Sequence, residues 1–478
     1  SFKLHCCSKL KDFVFKYEDL LGKEIWDVLD EKIQEEPGAF LSAVNSYATR
    51  KKNIRIYLLI DEYDNFTNTI LSTYGTEFYR KATHGEGFIR GFFNVIKSAT
   101  TGTGAALERL FITGVSPVTM DDVTSGFNIG TNITNDSWFN DLVGFSENEL
   151  REMLEYYKEQ GVLQESIDEI VAMMKPNYDN YCFSEDTLEQ CMFNSDMALY
   201  FLKSFVLHHK KPKEIVDPNI RTDFNKLAYL IKLDHGLGEN FSVIKEIAEQ
   251  GEIITDIVTH FSALEMTDPS NFKSLLFYFG LLSIKGVDMV GRPILHVPNL
   301  VVREQLFNFL IQGYIKHDIF KIDMNKMSAL FENMAFRGDW KPLFDFIANA
   351  VREQSRIREY IEGEAHIKGF LLAYLGMYRY YQLYPEYELN KGFADFFFKP
   401  SLSVPVLPPF TYLLEVKYAK AGASEKEIRA LADEAREQLL RYSEDELVAE
   451  AKAKGELKLI TIVWRSWELV LLEEVTLS

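Results

Sequence analysis

"TYLLEVKY", residues 411–418, is a short apolar run that closes by alternating Glu415, Val416, Lys417 and Tyr418. Its apolar content predicts a buried β-strand. On a strand, residues i and i+2 point to the same face, so Glu415 and Lys417 stand side by side. A structural salt bridge and a catalytic pair both account for an acid and an amine so placed, and taken alone the salt bridge is the commoner outcome. The sequence around the run decides between them.

Upstream, Asp395 ends "KGFAD" just before the aromatic strand Phe396 to Phe398, and Glu415 follows twenty residues later. The intervening "KPSLSVPVLPPF" (399–410) is rich in proline and reads as a loop or long hairpin connection, which lets the two strands pair antiparallel. Two carboxylates then converge near one point. With the carbonyl of Val416 they offer hard oxygen ligands to Mg²⁺, while Lys417 is placed to stabilise a developing phosphorane or orient an attacking water. Glu364, on the preceding helix, adds a third carboxylate, and Gln438 and Tyr442, four apart on a later helix, share one face.

These residues sit in an ordered run of elements. A helical pattern continues through "VREQSRIREYIEGEAHIKGFLLAYLGMYRYY" (351–381). The strands "GFADFFF" and "TYLLEVKY" follow, then a charged helix through "EKEIRALADEAREQLLRY" (425–442), and a last pair of strands around "LKLITIVW" and "WELVLLEEV". Helix, strands, helix, strands is the order of a compact α/β domain. From "SENELREMLEYYKEQG" (146–161) to about residue 340 helical periodicity dominates. Residues 1 to about 150 mix helical patterns with two strand-like runs, "IRIYLLIDEYD" (54–64) and "RLFITGVSP" (109–117), and predict an α/β sheet covered on both faces.

The first of those runs ends in Asp61-Glu62, and the second in Thr113-Gly114. In phosphate-hydrolysing α/β folds an acid at such a strand end holds the water shell of Mg²⁺, a following Glu polarises the attacking water, and a polar group on the neighbouring strand senses a phosphate. Solvated acids at a strand end explain the same run more simply. The chain contains no GxxxxGK(S/T): at Gly22-Lys23, Tyr17 stands where the first glycine belongs and Glu24 where Ser or Thr belongs.

With 478 residues and 47% hydrophobic composition the chain is long enough for two or three cores. Fifty-two Lys and Arg against seventy-one Asp and Glu leave a net charge of −19, which on average repels nucleic acid, although a bound metal or a local basic surface reverses the field at one site. "KSFVLHHKKPK" (203–213) is one such patch and is read as a solvated loop. The most apolar stretch, "SLLFYFGLLSI" (274–284), is too short to span a bilayer, and the N-terminus has no signal pattern, so a cytoplasmic protein is expected. Cys6, Cys7, Cys182 and Cys191 lack CxxC spacing and are read as reduced thiols.

The series Glu364, Asp395, Glu415-Val416-Lys417 and Gln438 resembles the PD-(D/E)XK nuclease superfamily. Ala394 stands before the motif Asp in place of Pro, and Phe393 where close relatives often carry Arg, which leaves the metal ligands and removes a phosphate contact. The further segments "IYLLIDEYDNFTNTIL", "LFITGVSPVTMDDVTSGFNI", "LVGFSENEL", "YDNYCFS", "DPNIRTD" and "LHVPNLVVREQLF" extend the resemblance along the chain. Together they are similar to a bacterial family, common in Bacteroidetes, that fuses an AAA-ATPase-like domain to a PD-(D/E)XK nuclease domain. The resemblance implies a Walker B pair at Asp61 and Glu62, a sensor-like Thr113, and a Walker A loop upstream of Ser1. It divides the chain into a partial P-loop-type α/β domain (1–145), a mostly helical lid (146–340) and a restriction-endonuclease-like α/β domain (341–478).

The expected function is an ATPase-coupled, Mg²⁺- or Mn²⁺-dependent phosphodiesterase acting on nucleic acid, with DNA ahead of RNA. Asp395, Glu415, Lys417, Glu364, Gln438 and Glu62 are its catalytic candidates, Asp395, Glu415 and Asp61 its metal ligands, and Asp61 and Thr113 its ATP contacts. The alternative is a catalytically inactive regulatory protein that binds nucleic acid or a partner. Asp217, Asn219 and Asp223 of "DPNIRTD" are read as caps or interface residues, and Tyr178, Tyr181 and Phe183 as core aromatics.

Overall fold

The computed structural model describes the chain apart from residues 1, 53, 66–69, 71–76, 86, 101–104, 116, 118–121, 123–129, 213–214, 217–238, 317–322, 354–362, 377, 379, 390–391, 402–403, 405 and 477–478. Asp217, Asn219 and Asp223 lie outside the described residues. The described chain forms two compact units, residues 1–134 with 256–280, and residues 135–255 with 281–478.

In the first unit, β1 (Ile56–Ile60) and β2 (Leu107–Ile112) pair in parallel. The helix Pro37–Lys52 buries Phe40, Leu41, Val44, Tyr47 and Ala48, and the helix Phe88–Thr100 buries Ile89, Phe93, Ile96 and Ala99. Both sets recur at the three- and four-residue spacing of a single helical face. Asn45 Oδ1 accepts the amides of Ala106 (2.9 Å) and Leu107 (3.1 Å), which fixes the first of these helices to the start of β2. The expectation of a sheet covered on both faces is not met among the described residues. Tyr57, Leu59 and Phe111 are exposed, and beyond the buried Ile56 and Leu107 the strand positions are half-buried or exposed instead of fully buried.

The second unit holds a helical core in which Leu150, Leu154, Ile170, Met174, Tyr178, Phe201 and Phe205 pack together. Tyr178 donates to the Ile215 carbonyl at 2.9 Å and packs edge-on to Phe201, the place of a core aromatic. Tyr181 and Phe183 are half-buried. In the basic stretch 203–213 the helix Ser195–His208 ends, and Lys211 donates to the Val404 carbonyl at 3.3 Å. A small antiparallel sheet in the order β3 (Glu252–Ile254), β5 (Pro293–His296), β4 (Ser283–Val287) interrupts the mostly helical middle region and was not anticipated from periodicity.

The larger sheet has the order β10-β9-β8-β7-β6, with β6 (Tyr381–Leu389), β7 (Gly392–Pro400), β8 (Phe410–Ala419), β9 (Glu456–Arg465) and β10 (Glu468–Val475). All neighbours are antiparallel except β8 and β9, which run in parallel and are joined through the helix Glu425–Tyr442. That helix opens on a capping box between Ser424 and Glu427 and buries Ile428, Ala432, Ala435, Leu439 and Tyr442. On one sheet face Leu413 and Phe397 pack under Leu439 and Tyr442. On the other, Tyr412 donates to the Met334 carbonyl at 2.7 Å, at the helix Met324–Arg337. β8 is buried from Thr411 to Val416 because both faces are covered.

One local expectation is corrected. The helical pattern through 381 stops earlier, since the helix Glu364–Leu375 ends at Gly376 and Tyr381 begins β6. Pro385 within β6 is tolerated because β6 is an edge strand and needs no complete ladder. The strand expected at "GFADFFF" is β7, which starts at Gly392, holds Asp395 in its interior and runs on to Pro400.

Candidate active site

Asp395 on β7 and Glu415 on β8 are brought together by strand register. The ladder pairs Phe397 with Leu413 and Phe396 with Leu414. One step further along the antiparallel register places Asp395 opposite Glu415 on the face under the helix Glu425–Tyr442. The ladder stops there, and the Asp395 side chain takes it over: Oδ2 accepts the Val416 amide at 2.6 Å. A side chain in place of a backbone carbonyl lets the two strands separate at the acidic pair. Asp395 is 4% exposed and Glu415 3% exposed.

Lys417 lies two residues beyond Glu415 on the same face, as the alternation requires. Its ammonium sits 3.3 Å from Glu415 Oε1 and 3.1 Å from Glu434 Oε1 on the helix Glu425–Tyr442. Gln438 is one helical turn past Glu434, and its Oε1 is buried with no hydrogen-bond partner among the described residues. Glu415 Oε2 is likewise buried and has no partner among them. Tyr442 closes the same helix face against Gly392, where an added Cβ would lie 2.9 Å from the phenol oxygen.

A second lysine, not anticipated from the sequence, completes the cluster. Lys368, on the helix Glu364–Leu375, places its ammonium 2.5 Å from Asp395 Oδ1, 3.0 Å from Glu364 Oε1 and 3.1 Å from Glu386 Oε1. Glu364 thus meets the site through Lys368. The i,i+4 spacing of Glu364 and Lys368 is a signal the sequence did carry. Glu386 lies in the edge strand β6, where its backbone adopts φ +42, a region few non-glycine residues occupy.

Electrostatics follow from burying this much charge. Burial pushes the Asp395 carboxyl up to about 6, against the pull of Lys368 and the Val416 amide. Burial, and then the nearby Asp395 charge, push Glu415 up to about 8, opposed by Lys417 and Lys368. Burial acts to lower both ammonium groups, yet Asp395 and Glu386 hold Lys368 above the ordinary lysine range, and Glu415 and Glu434 do the same for Lys417.

Two acids and a lysine thus lie at the centre of a sheet that follows the helix Glu364–Leu375. Residues 362–474 match the model of the PD-(D/E)XK nuclease superfamily. Residues 1–124 match a second model, described as a predicted AAA-ATPase, so the chain joins an AAA-ATPase-like segment to a nuclease-superfamily domain. No curated protein matches the chain at a significant level.

In the nuclease-superfamily domain the donor set fits a hard divalent cation. Two carboxylates adjoin one another out of water, and one of their oxygens, Glu415 Oε2, has no partner among the described residues. Among the described residues no group of three or more His, Cys, Asp or Glu side chains is arranged to hold a metal ion. The fit therefore rests on the pair, with a backbone carbonyl such as that of Val416 as a further donor.

In the AAA-ATPase-like segment, Asp61 and Thr113 stand at the ends of the parallel strands β1 and β2, and the Thr113 hydroxyl donates to Asp61 Oδ1. Glu62 adopts φ +52, and its carboxylate accepts the Asn65 side-chain amide at 2.9 Å. Asp61 and Thr113 are thus in contact at the strand ends, while the Glu62 carboxylate meets a local partner, Asn65. Among the described residues no helix is long and apolar enough to cross a membrane.

Proposed function

We propose that the chain is a Mg²⁺- or Mn²⁺-dependent nucleic-acid phosphodiesterase with its cleavage site at Asp395, Glu415 and Lys417. The observation that carries this reading is the buried Asp395–Glu415 pair with an unpartnered Glu415 oxygen and Lys417 on the same face. PD-(D/E)XK nucleases generally use Mg²⁺ or Mn²⁺. When bound by Asp395 and Glu415, such an ion would lower the pKa of a coordinated water and neutralise charge on the scissile phosphate. Asp395 is held in place by the Val416 amide, so its carboxylate is oriented before any substrate arrives. Lys417 supplies a fixed positive charge beside the developing phosphorane. Gln438 Oε1, buried without a partner, is suited to accept a hydrogen bond from a water in the site.

The division into residues 1–145, 146–340 and 341–478 suits an ATP-gated nuclease, with Asp61 and Glu62 acting on a Mg²⁺-nucleotide and Thr113 sensing its phosphate. Such gating needs a phosphate-gripping loop, and the chain itself has no GxxxxGK(S/T). Equal cleavage rates with and without ATP would remove the coupling from this reading.

The competing reading, a catalytically inactive binding protein in the cytoplasm, draws on the Lys368 ammonium already neutralising Asp395. The deciding experiment is cleavage of single- and double-stranded DNA and RNA with Mn²⁺ or Mg²⁺, beside Asp395→Ala and Lys417→Ala. Cleavage that both substitutions abolish supports the nuclease. Failure to cleave any substrate, with Mn²⁺ and ATP present, leaves the binding protein.

A further inference from the structure

Lys368 is shared among three carboxylates of unequal exposure: Asp395, nearly inaccessible, and Glu364 and Glu386, whose side chains are 43% and 40% exposed. Two features set this cluster apart from a surface ion pair. The contact to Asp395 is the shortest of the three, and it falls on the oxygen not used by the Val416 amide. Beside it, Glu415 Oε2 is buried and has no partner among the described residues, so the acidic pair keeps one oxygen open to a further ligand.

We propose that the Lys368 ammonium is the resident cation of the acidic pair, and that a divalent ion enters by displacing it from Asp395 onto Glu364 and Glu386. This rests on the reading of Asp395 and Glu415 as metal ligands. It assigns Glu364 and Glu386 a positioning role: they receive the lysine and do not bind the ion themselves. The residues are spaced for such a handover. Glu364 and Lys368 lie one turn apart on one helix, so the lysine can leave Asp395 without leaving Glu364. Glu386, on the strand next to Asp395, marks the other end of the movement. Like charges compete for one binding position, so the lysine acts as a brake on metal loading and keeps the buried Asp395 paired in the metal-free protein.

The test is Mn²⁺ binding by calorimetry or electron paramagnetic resonance, which needs no turnover. Lys368→Met removes the competing charge and is expected to bind Mn²⁺ tighter by at least about tenfold, a lower bound because the Lys368 ammonium can move away from the ion toward Glu364 and Glu386. Lys368→Gln, which keeps a hydrogen-bond donor to Asp395, is the second variant should the methionine protein fail to fold. Glu364→Gln combined with Glu386→Gln is expected to weaken Mn²⁺ binding in the parent, where the lysine loses its second station, and to leave it unchanged in the Lys368→Met background. Equal weakening in both backgrounds would make the two glutamates direct ligands and overturn the proposal. Unchanged or weaker binding in both Lys368 variants would also overturn it, as would no Mn²⁺ binding by any of these proteins. The nuclease reading is judged separately: cleavage abolished by Asp395→Ala stands whichever way the titrations fall.

Discussion

Lys417 separates chemistry from architecture at the level of one residue. Its side chain is 13% exposed and touches Glu415 and Glu434, so some structural cost on removal is certain on either reading. Breaking a buried pair costs about 3 kcal/mol, toward the low end of the usual range because Glu415 can take up a proton. Lys417→Met is therefore expected to lower stability by about that much and, independently, to reduce cleavage per folded molecule by about a hundredfold or more, the effect of losing one preorganised charge at a transition state. Melting curves and single-turnover rates measure the two effects separately, and an unchanged rate per folded molecule would make the pair structural. Glu386 poses the complementary case. Glu386→Gly would relieve a left-handed backbone worth roughly 1 kcal/mol and lose a half-exposed ion pair worth roughly 0–1 kcal/mol. Thermal unfolding should accordingly move little; a large loss of stability would mean that Glu386 is held for packing and not for its charge.

At the scale of elements, Gly392 starts β7 at φ +144, a conformation nearly reserved for glycine, and any Cβ there meets the Tyr442 hydroxyl. Gly392→Ala should cost about 1–3 kcal/mol and displace the helix face that carries Gln438 and Tyr442, read as a lower melting temperature with weakened Mn²⁺ binding. The small sheet offers a pH test. His296 on β5 is pushed down to about 4 by burial first, then by Lys285 on β4 and Arg303 on the helix Leu300–Lys316, against the opposing pull of Glu252 on β3. The unfolded chain takes up this proton near pH 6.5 and the fold does not until about pH 4, so stability is intact above 6.5 and is lost as pH falls through that window. His296→Gln should flatten the loss between pH 7 and 5, and an imidazole that titrates near 6.5 in a magnetic resonance experiment would refute it. The same elements show what the sequence could reveal. β8, the helix Glu425–Tyr442 and the β9–β10 pair were legible because alternation, a capped amphipathic stripe and apolar runs are local signals. β6 was not, because Pro385 breaks its pattern and only its place at the sheet edge excuses the break. β3, β4 and β5 span three to five residues each and depend on partners distant in sequence. Asp395, Glu415 and Lys417 could be chosen in advance because strand alternation fixes their side; Glu386 could not, because its direction comes from an unusual backbone angle.

For the whole molecule, the net charge of −19 sets a condition on any nucleic-acid substrate. An acidic surface opposes approach of a polyanion, so attraction has to be local, and the acidic pair at Asp395 and Glu415, whose charge Lys368 and Lys417 at most balance, adds no net attraction until a divalent ion occupies it. Binding should therefore be ordered, with the metal ahead of the nucleic acid. Lys417→Met keeps both carboxylates while slowing cleavage, so it serves as a binding probe. Fluorescence anisotropy with labelled DNA is expected to show at least about tenfold tighter binding with Mn²⁺ than with chelator. A protein that neutralises six to ten phosphates loses about a thousandfold or more in affinity between about 50 and 200 mM salt; contacts concentrated at one metal-centred site predict a much shallower loss. Tight metal-independent binding with a steep salt dependence would instead reveal an extended basic surface, and would favour a nucleic-acid-binding protein over a nuclease whose substrate is held chiefly by its active site.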